Sequence, residues 1–262
     1  IGDGHHDDDF VRIIPHQRRD LDGFAAALDL DPFDLIGRAG QVTGEQYVQR
    51  AFLLGIDKGV CVSLRGVFLS HVEGNAETMK VCREHPQLVP AATINPLGYH
   101  SRQSLPAELA RQGFRMLRLF PHQQGWSAQN VVVERILAEC AEAGLPVAFP
   151  IGKFSDVGSA IGRIALKGCR VILSDLYYMA MTECVEVLRR RSEFLMEVGH
   201  TCSPGAIEFL CSEIGANRLV LGTNQPLEVG RGAIEEIRCA DISEQDKAAI
   251  LGGNLSALLG GI

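Results

Sequence analysis

The chain has no C-x-x-C pair, no run of about 18 apolar residues and no G-x-G-x-x-G turn. The first absence excludes a zinc ribbon or a thioredoxin-type redox centre, the second a membrane-spanning helix, and the third a dinucleotide-binding phosphate turn. Positive charge is also scarce. With 25 Lys and Arg against 32 Asp and Glu, the formal net charge is -7, and Arg189-Arg190-Arg191 is the one basic cluster. Phosphate backbones need a basic face, so no nucleic-acid partner is expected. The eight cysteines, at 61, 82, 140, 169, 184, 202, 211 and 239, are dispersed through apolar patterns, where cysteine behaves as a small hydrophobe. Their spacing points to a reducing, cytoplasmic compartment rather than a disulfide framework. No signal peptide is legible at the start, which runs from Ile1 directly into a polar cluster.

What is present is the composition of a globular protein, 46% hydrophobic over 262 residues. That length suits one (β/α)8 barrel. Short β-rich apolar runs alternate with longer stretches of helical periodicity. The runs read as strands are residues 59–64, 88–95, 114–120, 145–149, 170–174, 194–198 and 219–221, with a first strand near Ile1 to Asp7. Several are continuously apolar, as strands buried on both faces should be.

Helix boundaries are signalled by Gly144 after a helix over 128–143, by Gly113 and Gly215 closing two others, by Ser203 before Pro204, and by Ser243 ahead of Glu244 and Asp246. The expected architecture is an α/β, (β/α)8 TIM barrel of one domain over residues 1–262. A polar, acidic insertion at about 8–44 is either a lid or disordered. An open doubly wound sheet is the rival, disfavoured by the missing glycine-rich turn.

Four segments carry more specific information: Ile94-Asn-Pro96, Gly113-Phe-Arg-Met-Leu-Arg-Leu-Phe-Pro121, Gly144-Leu-Pro-Val147 and Arg218-Leu-Val-Leu-Gly-Thr-Asn-Gln-Pro226. Through them the chain resembles the amidohydrolase-related TIM-barrel family, which includes metal-dependent hydrolases and zinc decarboxylases. The likeness extends from about Gly55 to a terminal helix ending at Asn254. It implies a barrel fold and hydrolytic or decarboxylating chemistry at the C-terminal ends of the strands. It also implies a metal held by a His-x-His on strand 1, a His on strand 5 and an Asp on strand 8, with a His on strand 6 working on the substrate.

Position by position, this chain departs from that set. Strand 1 offers His5 and Asp7, the strand 5 position falls on Pro150, the strand 6 position on Asp175 and the strand 8 position on Asn224. A hydrolytic zinc needs about three protein ligands, and an amide is a poor one that takes no proton near neutral pH. The resemblance therefore implies a degenerate metal site. His5 and Asp7 are weak ligand candidates, no cofactor is expected, and a divalent metal such as zinc held by other groups stays open.

Strand alternation puts His5 with Asp7 on one face, Arg118 with Phe120 and His122 on another, and Gly222 with Asn224 on a third. The ligand-binding set read from this is His5, Asp7, Arg118, His200 and Asn224, with Asp175 and His122 as catalytic candidates and Lys153, His71 and Tyr177 nearby. Arg118 can orient a carboxylate or pair with Asp175 or Asp3 as a structural link. His122 and His200 can be pocket groups or solvated loop residues, and Cys202 is a nucleophile only beside a base. Two functions remain. One is a hydrolase or decarboxylase acting on a small organic acid without the usual mononuclear zinc. The other is a catalytically inactive barrel serving as a partner or regulatory subunit. A homo-oligomer fits either, and no membrane partner is expected.

Overall fold

The computed structural model describes residues 11–16, 43–100, 103–152, 160–161, 168–199, 201, 203–224 and 230–261. Eight strands form one curled sheet in sequence order: β1 (Val11–His16), β2 (Lys58–Ser63), β3 (Leu88–Ala92), β4 (Met116–Arg118), β5 (Val147–Gly152), β6 (Val171–Leu176), β7 (Leu195–Val198) and β8 (Leu219–Leu221). From β2 to β8 every pairing is parallel. The described helices begin with α1 (Gly44–Leu53), α2 (Leu64–Phe68), α3 (His71–Glu84), α4 (Leu105–Gln112), α5 (Pro121–Gln124) and α6 (Val131–Glu142). They continue with α7 (Met181–Arg190), α8 (Ala206–Ile214), α9 (Gly230–Cys239), α10 (Glu244–Ala248) and α11 (Asn254–Leu258). The expected βα alternation and TIM-barrel architecture are those found.

The first strand departs from the expectation. The strand read near Ile1 to Asp7 lies outside the described residues, and β1 falls inside the stretch read as an insertion. It pairs antiparallel with β2, Val11 opposite Ser63 and His16 opposite Lys58. Val11, Ile13 and Ile14 are β-branched, which favours extended backbone even between polar flanks. Pro15 removes one ladder donor, which an outer strand tolerates. β1 also contacts β8, so the sheet curls back on itself.

Period-two alternation divides the strands between two cores. Val60, Val62, Val89, Ala91, Met116, Ala148, Ile172 and Val220 point inward and pack with Phe120 in the lumen. Cys61, Ala92, Leu117, Val147, Phe149, Leu173, Met196, Leu219 and Leu221 point outward under the helices. The lumen is a packed core rather than a pore. Its floor is the C-terminal segment, where Leu255, Leu258 and Leu259 join the inward cluster. Arg115 donates to the Leu259 carbonyl at 2.5 Å and Arg170 to the Leu258 carbonyl at 2.8 Å, satisfying carbonyls a helix end leaves unpaired.

At the opposite end, side chains from the helices pin the strand tips. Asn75 of α3 exchanges two bonds with the Thr93 backbone, accepting at 2.8 Å and donating at 2.9 Å. The Ser63 amide donates to Thr78 Oγ1 at 2.9 Å. Helices α2 and α3 meet at Gly66 and Gly74, where a Cβ on Gly74 would overlap the Gly66 backbone.

The capping signals fare unevenly. Gly113, Gly144 and Gly215 all take left-handed φ after their helices, and Ser243 accepts from the Asp246 amide at 3.1 Å. Ser203 does not cap its helix. The chain makes a further turn, in which Ala206 N donates to the Ser203 carbonyl, and α8 starts after Gly205.

Candidate active site

The C-terminal ends of β4, β6, β7 and β8 bring a charged cluster into an otherwise apolar lumen. Arg118 follows Met116 on the inward face of β4 and is 2% exposed. Its Nη2 donates to Asp175 Oδ1 at 3.1 Å. Its Nη1 lies 4.0 Å from Oε2 of Glu197, which stands on β7 and is 1% exposed. The guanidinium carbon is 5.7 Å from the centre of the Phe120 ring. One arginine is thus set between two carboxylates from neighbouring strands. The interior is apolar, so removing Arg118 would leave the two carboxylates badly compensated.

Strand alternation alone would send Asp175 outward, because Ile172 and Ser174 already face in. The backbone resolves this at Asp175 itself, whose φ is 52°. The ladder pairs Pro150 with Ser174 and Gly152 with Leu176, and is interrupted between them. Asn224, just past β8, has φ 51°. Among the described residues, these two are the non-glycine residues in the left-handed region, which Asp and Asn tolerate best. Both lie at the end of the lumen where barrel enzymes place their chemistry, and locally strained backbone collects at such sites.

Three further atoms mark the same end. Thr93 Oγ1, Ser174 Oγ and Arg118 Nε are buried and have no hydrogen-bond partner among the described residues. Buried polar atoms are nearly always bonded, so these exceptions at the strand ends need an explanation. The mouth is also kept narrow by glycine. A Cβ on Gly199 would overlap the Gly222 carbonyl, and one on Gly222 would overlap the Glu197 carboxylate.

The structure therefore joins Arg118 and Asp175 as a buried ion pair. Asn224 is 8% exposed at the end of β8. His122 does not continue the β4 face, because the strand ends at Arg118 and Pro121 opens the short helix α5. His122 sits exposed on the rim, with Nε2 3.4 Å from the Ile151 carbonyl. Tyr177, half-buried, follows β6. His71 opens α3, where burial lowers its pKa below the ordinary histidine value. His5, Asp7, Lys153, His200 and Cys202 lie outside the described residues.

Glu197 is the residue the sequence reading missed. A signal for it exists: Leu195, Glu197 and Gly199 share a face, and a glutamate amid Phe194-Leu-Met-Glu-Val198 has no solvent-facing side to occupy. It was hidden by the assumption that a strand buried on both faces is uniformly apolar.

Two described positions at this end lack the ligands that the family resemblance implies. Pro150, inside β5 and short of its end at Gly152, has no ligand atom, and Asn224 offers an amide where a carboxylate would be needed. No group of three or more His, Cys, Asp or Glu among the described residues could hold a metal ion.

A groove of about 700 Å3 between α8 and α9 is lined by small residues with Glu208, Glu235 and Glu236. None of its described lining residues is a cation. No described helix is long and apolar enough to cross a membrane.

Residues 73–261 match the family model described as amidohydrolase. Solved structures share the fold. One is the 5-carboxyvanillate decarboxylase of Novosphingobium aromaticivorans complexed with manganese and 4-hydroxy-3-methoxy-5-nitrobenzoic acid, at TM-score 0.68, 14% identity and coverage of 88% of this chain and 84% of that one. An uncharacterised TIM-barrel protein from Bordetella bronchiseptica matches at TM-score 0.65 and 19% identity, covering 88% of each chain. A putative 2-pyrone-4,6-dicarboxylic acid hydrolase from Pseudomonas putida matches at TM-score 0.60 and 20% identity, covering 83% and 87%. At these identities the likeness is one of fold. A search of curated proteins returned no match.

Proposed function

The chain belongs to the amidohydrolase family, and from that premise we propose that it is a hydrolase or decarboxylase of a small, aromatic-type organic acid bound at Arg118 and Asp175. The observation that carries this reading is the buried Arg118–Asp175 pair at the C-terminal end of the lumen, beside an Arg118 Nε that has no acceptor among the described residues. A guanidinium already held on one side presents its remaining N–H to a carboxylate in a fixed direction. Thr93 and Ser174 supply hydroxyls on the same wall. The relatives fit the substrate class, since solved structures of this fold include enzymes of carboxylated aromatic rings and of a pyrone dicarboxylic acid.

In this reading Asp175 handles the proton. It takes one from the attacking water in hydrolysis, or, once it has taken a proton from solvent, delivers that proton to the ring carbon left with the bonding pair when carbon dioxide departs. His122, exposed on the rim, is the other proton-handling candidate, and Asn224 donates or accepts a hydrogen bond to the substrate. His5, Asp7 and His200 complete the proposed ligand-binding set. The family's mononuclear zinc takes no part, because Pro150 and Asn224 supply neither a ligand nor a base.

The test is turnover of 5-carboxyvanillate, 2,6-dihydroxybenzoate and 2-pyrone-4,6-dicarboxylate by chelator-treated protein, with metal content measured on the same sample. Conversion of one of these acids that Asp175→Asn abolishes supports the reading. Conversion that requires one equivalent of bound metal, or no conversion and no binding of any of the three, contradicts it.

A further inference from the structure

We infer that Glu197 is a positioning residue of this site, holding the Arg118 guanidinium in the orientation in which Asp175 meets it, with Gly222 as the glycine that makes room for it. The inference rests on the reading of Arg118 and Asp175 as the acid site, and it adds a third strand to that site.

The geometry is specific to one side chain. Asp175 engages Nη2 at 3.1 Å, and Glu197 faces Nη1 at 4.0 Å. The two carboxylates thus approach different terminal nitrogens of one planar fork, which opposes rotation of that fork about its Nε–Cζ bond. Phe120 lies 5.7 Å from the guanidinium carbon. The grip leaves the Nε edge, whose hydrogen has no acceptor among the described residues.

The cost of this arrangement argues that it has a purpose. Burying a carboxylate is costly before any partner is counted. The neighbouring inward position of β7 is Leu195, which packs in the lumen cluster as an apolar residue should. Only at 197 does the strand place a charge. The register sets Glu197 beside Val220, so the side chain reaches up the wall toward Gly222. There β8 has no side chain, and any Cβ would occupy the carboxylate. A charged residue on one strand is matched by a missing side chain on the next.

The test reads Arg118 directly. In protein labelled with 15N-arginine, the Arg118 signals are identified by their loss in Arg118→Lys. A guanidinium gripped at both terminal nitrogens rotates slowly about Nε–Cζ and gives two resolved Nη signals, whereas an ungripped one gives a single average. Wild type is expected to show the resolved pair without ligand, and Glu197→Gln, which keeps the shape and removes the charge, to merge it. The same variant is expected to weaken binding of 4-hydroxy-3-methoxy-5-nitrobenzoate about tenfold, a loss of ~1.4 kcal/mol. Resolved signals that survive Glu197→Gln overturn the inference, as does an averaged signal in wild type.

Should the Gln variant fail to fold, Glu197→Asp keeps the charge but withdraws it by one methylene. It is expected to merge the signals likewise, and an unchanged pair would overturn the inference. Because the signature is read without ligand, absence of benzoate binding in wild type would count against the organic-acid reading while the positioning role is still decided.

Discussion

Gly222 on β8 lies so close to Glu197 on β7 that a methyl group at position 222 would take the place of the Glu197 carboxylate. The two residues form one device, in which a missing side chain on one strand accommodates a buried charge on the next. Gly222→Ala should therefore force Glu197 away from Arg118. Overpacking of this kind costs about 1–3 kcal/mol. Chemical denaturation should show that loss, with binding of 4-hydroxy-3-methoxy-5-nitrobenzoate weakened as well. An alanine variant with wild-type stability and binding would show that the carboxylate has another resting place.

Arg118 is the single cation that two buried carboxylates share in the described lumen. Arg118→Met should destabilise the fold by about 3–5 kcal/mol, because Asp175 and Glu197 are then left facing each other without it. Asp175→Asn should cost much less. Asparagine tolerates the left-handed φ of 52° as well as aspartate does, so the backbone is kept. Urea unfolding of both variants checks the order, and equal losses would mean that stranding the two carboxylates is not what makes Arg118→Met costly.

Thiol chemistry follows burial. Burial pushes the Cys169 and Cys184 thiols up to about 12 and Cys211 to about 11, while Cys140 is raised well above the ordinary value. Cys239 is exposed. A disulfide reagent at pH 8 should modify Cys239 well before Cys140, Cys169 or Cys184.

The same burial gives the fold a defined alkaline weakness. The unfolded chain releases these thiol protons from about pH 8.5 upward. The folded chain holds them up to about pH 12. Native protein then binds more protons than unfolded protein, so stability is full below about pH 8.5 and falls as pH rises through that window. Melting temperature measured from pH 7 to 11 should decline at the alkaline end, and replacing Cys169 and Cys184 by Ala should flatten the slope. An unchanged slope would place the loss elsewhere.

Most of the sheet was legible because its strands are short apolar runs with helical stretches between them. Leu219–Leu221 was read to the residue, and Gly113, Gly144 and Gly215 closed helices as their left-handed φ requires. The β1 strand was hidden. Val11 to His16 is polar-flanked and carries Pro15, which reads as a breaker until the strand is seen at an edge. His122 was misplaced for a related reason, since alternation was carried past Pro121 into a helix.

In the site, Arg118 and Asp175 were legible as charged residues at the ends of apolar runs, and their pairing was one of the alternatives the residues allowed. The turn at Asp175 was not legible. It depends on a left-handed φ that no local pattern announces in an aspartate. Glu197 required knowing that the β7 face is lined by charge from β4, which is a relation across the lumen and not along the chain.

Whether Arg118 and Asp175 bind an organic acid without metal is decided by calorimetric titration of chelator-treated protein with 4-hydroxy-3-methoxy-5-nitrobenzoate. The account predicts saturable binding that survives chelation and that Arg118→Lys weakens at least about tenfold, since lysine keeps the charge but loses the fork. Binding that appears only when zinc or manganese is added back, or that is the same in Arg118→Lys, would contradict it.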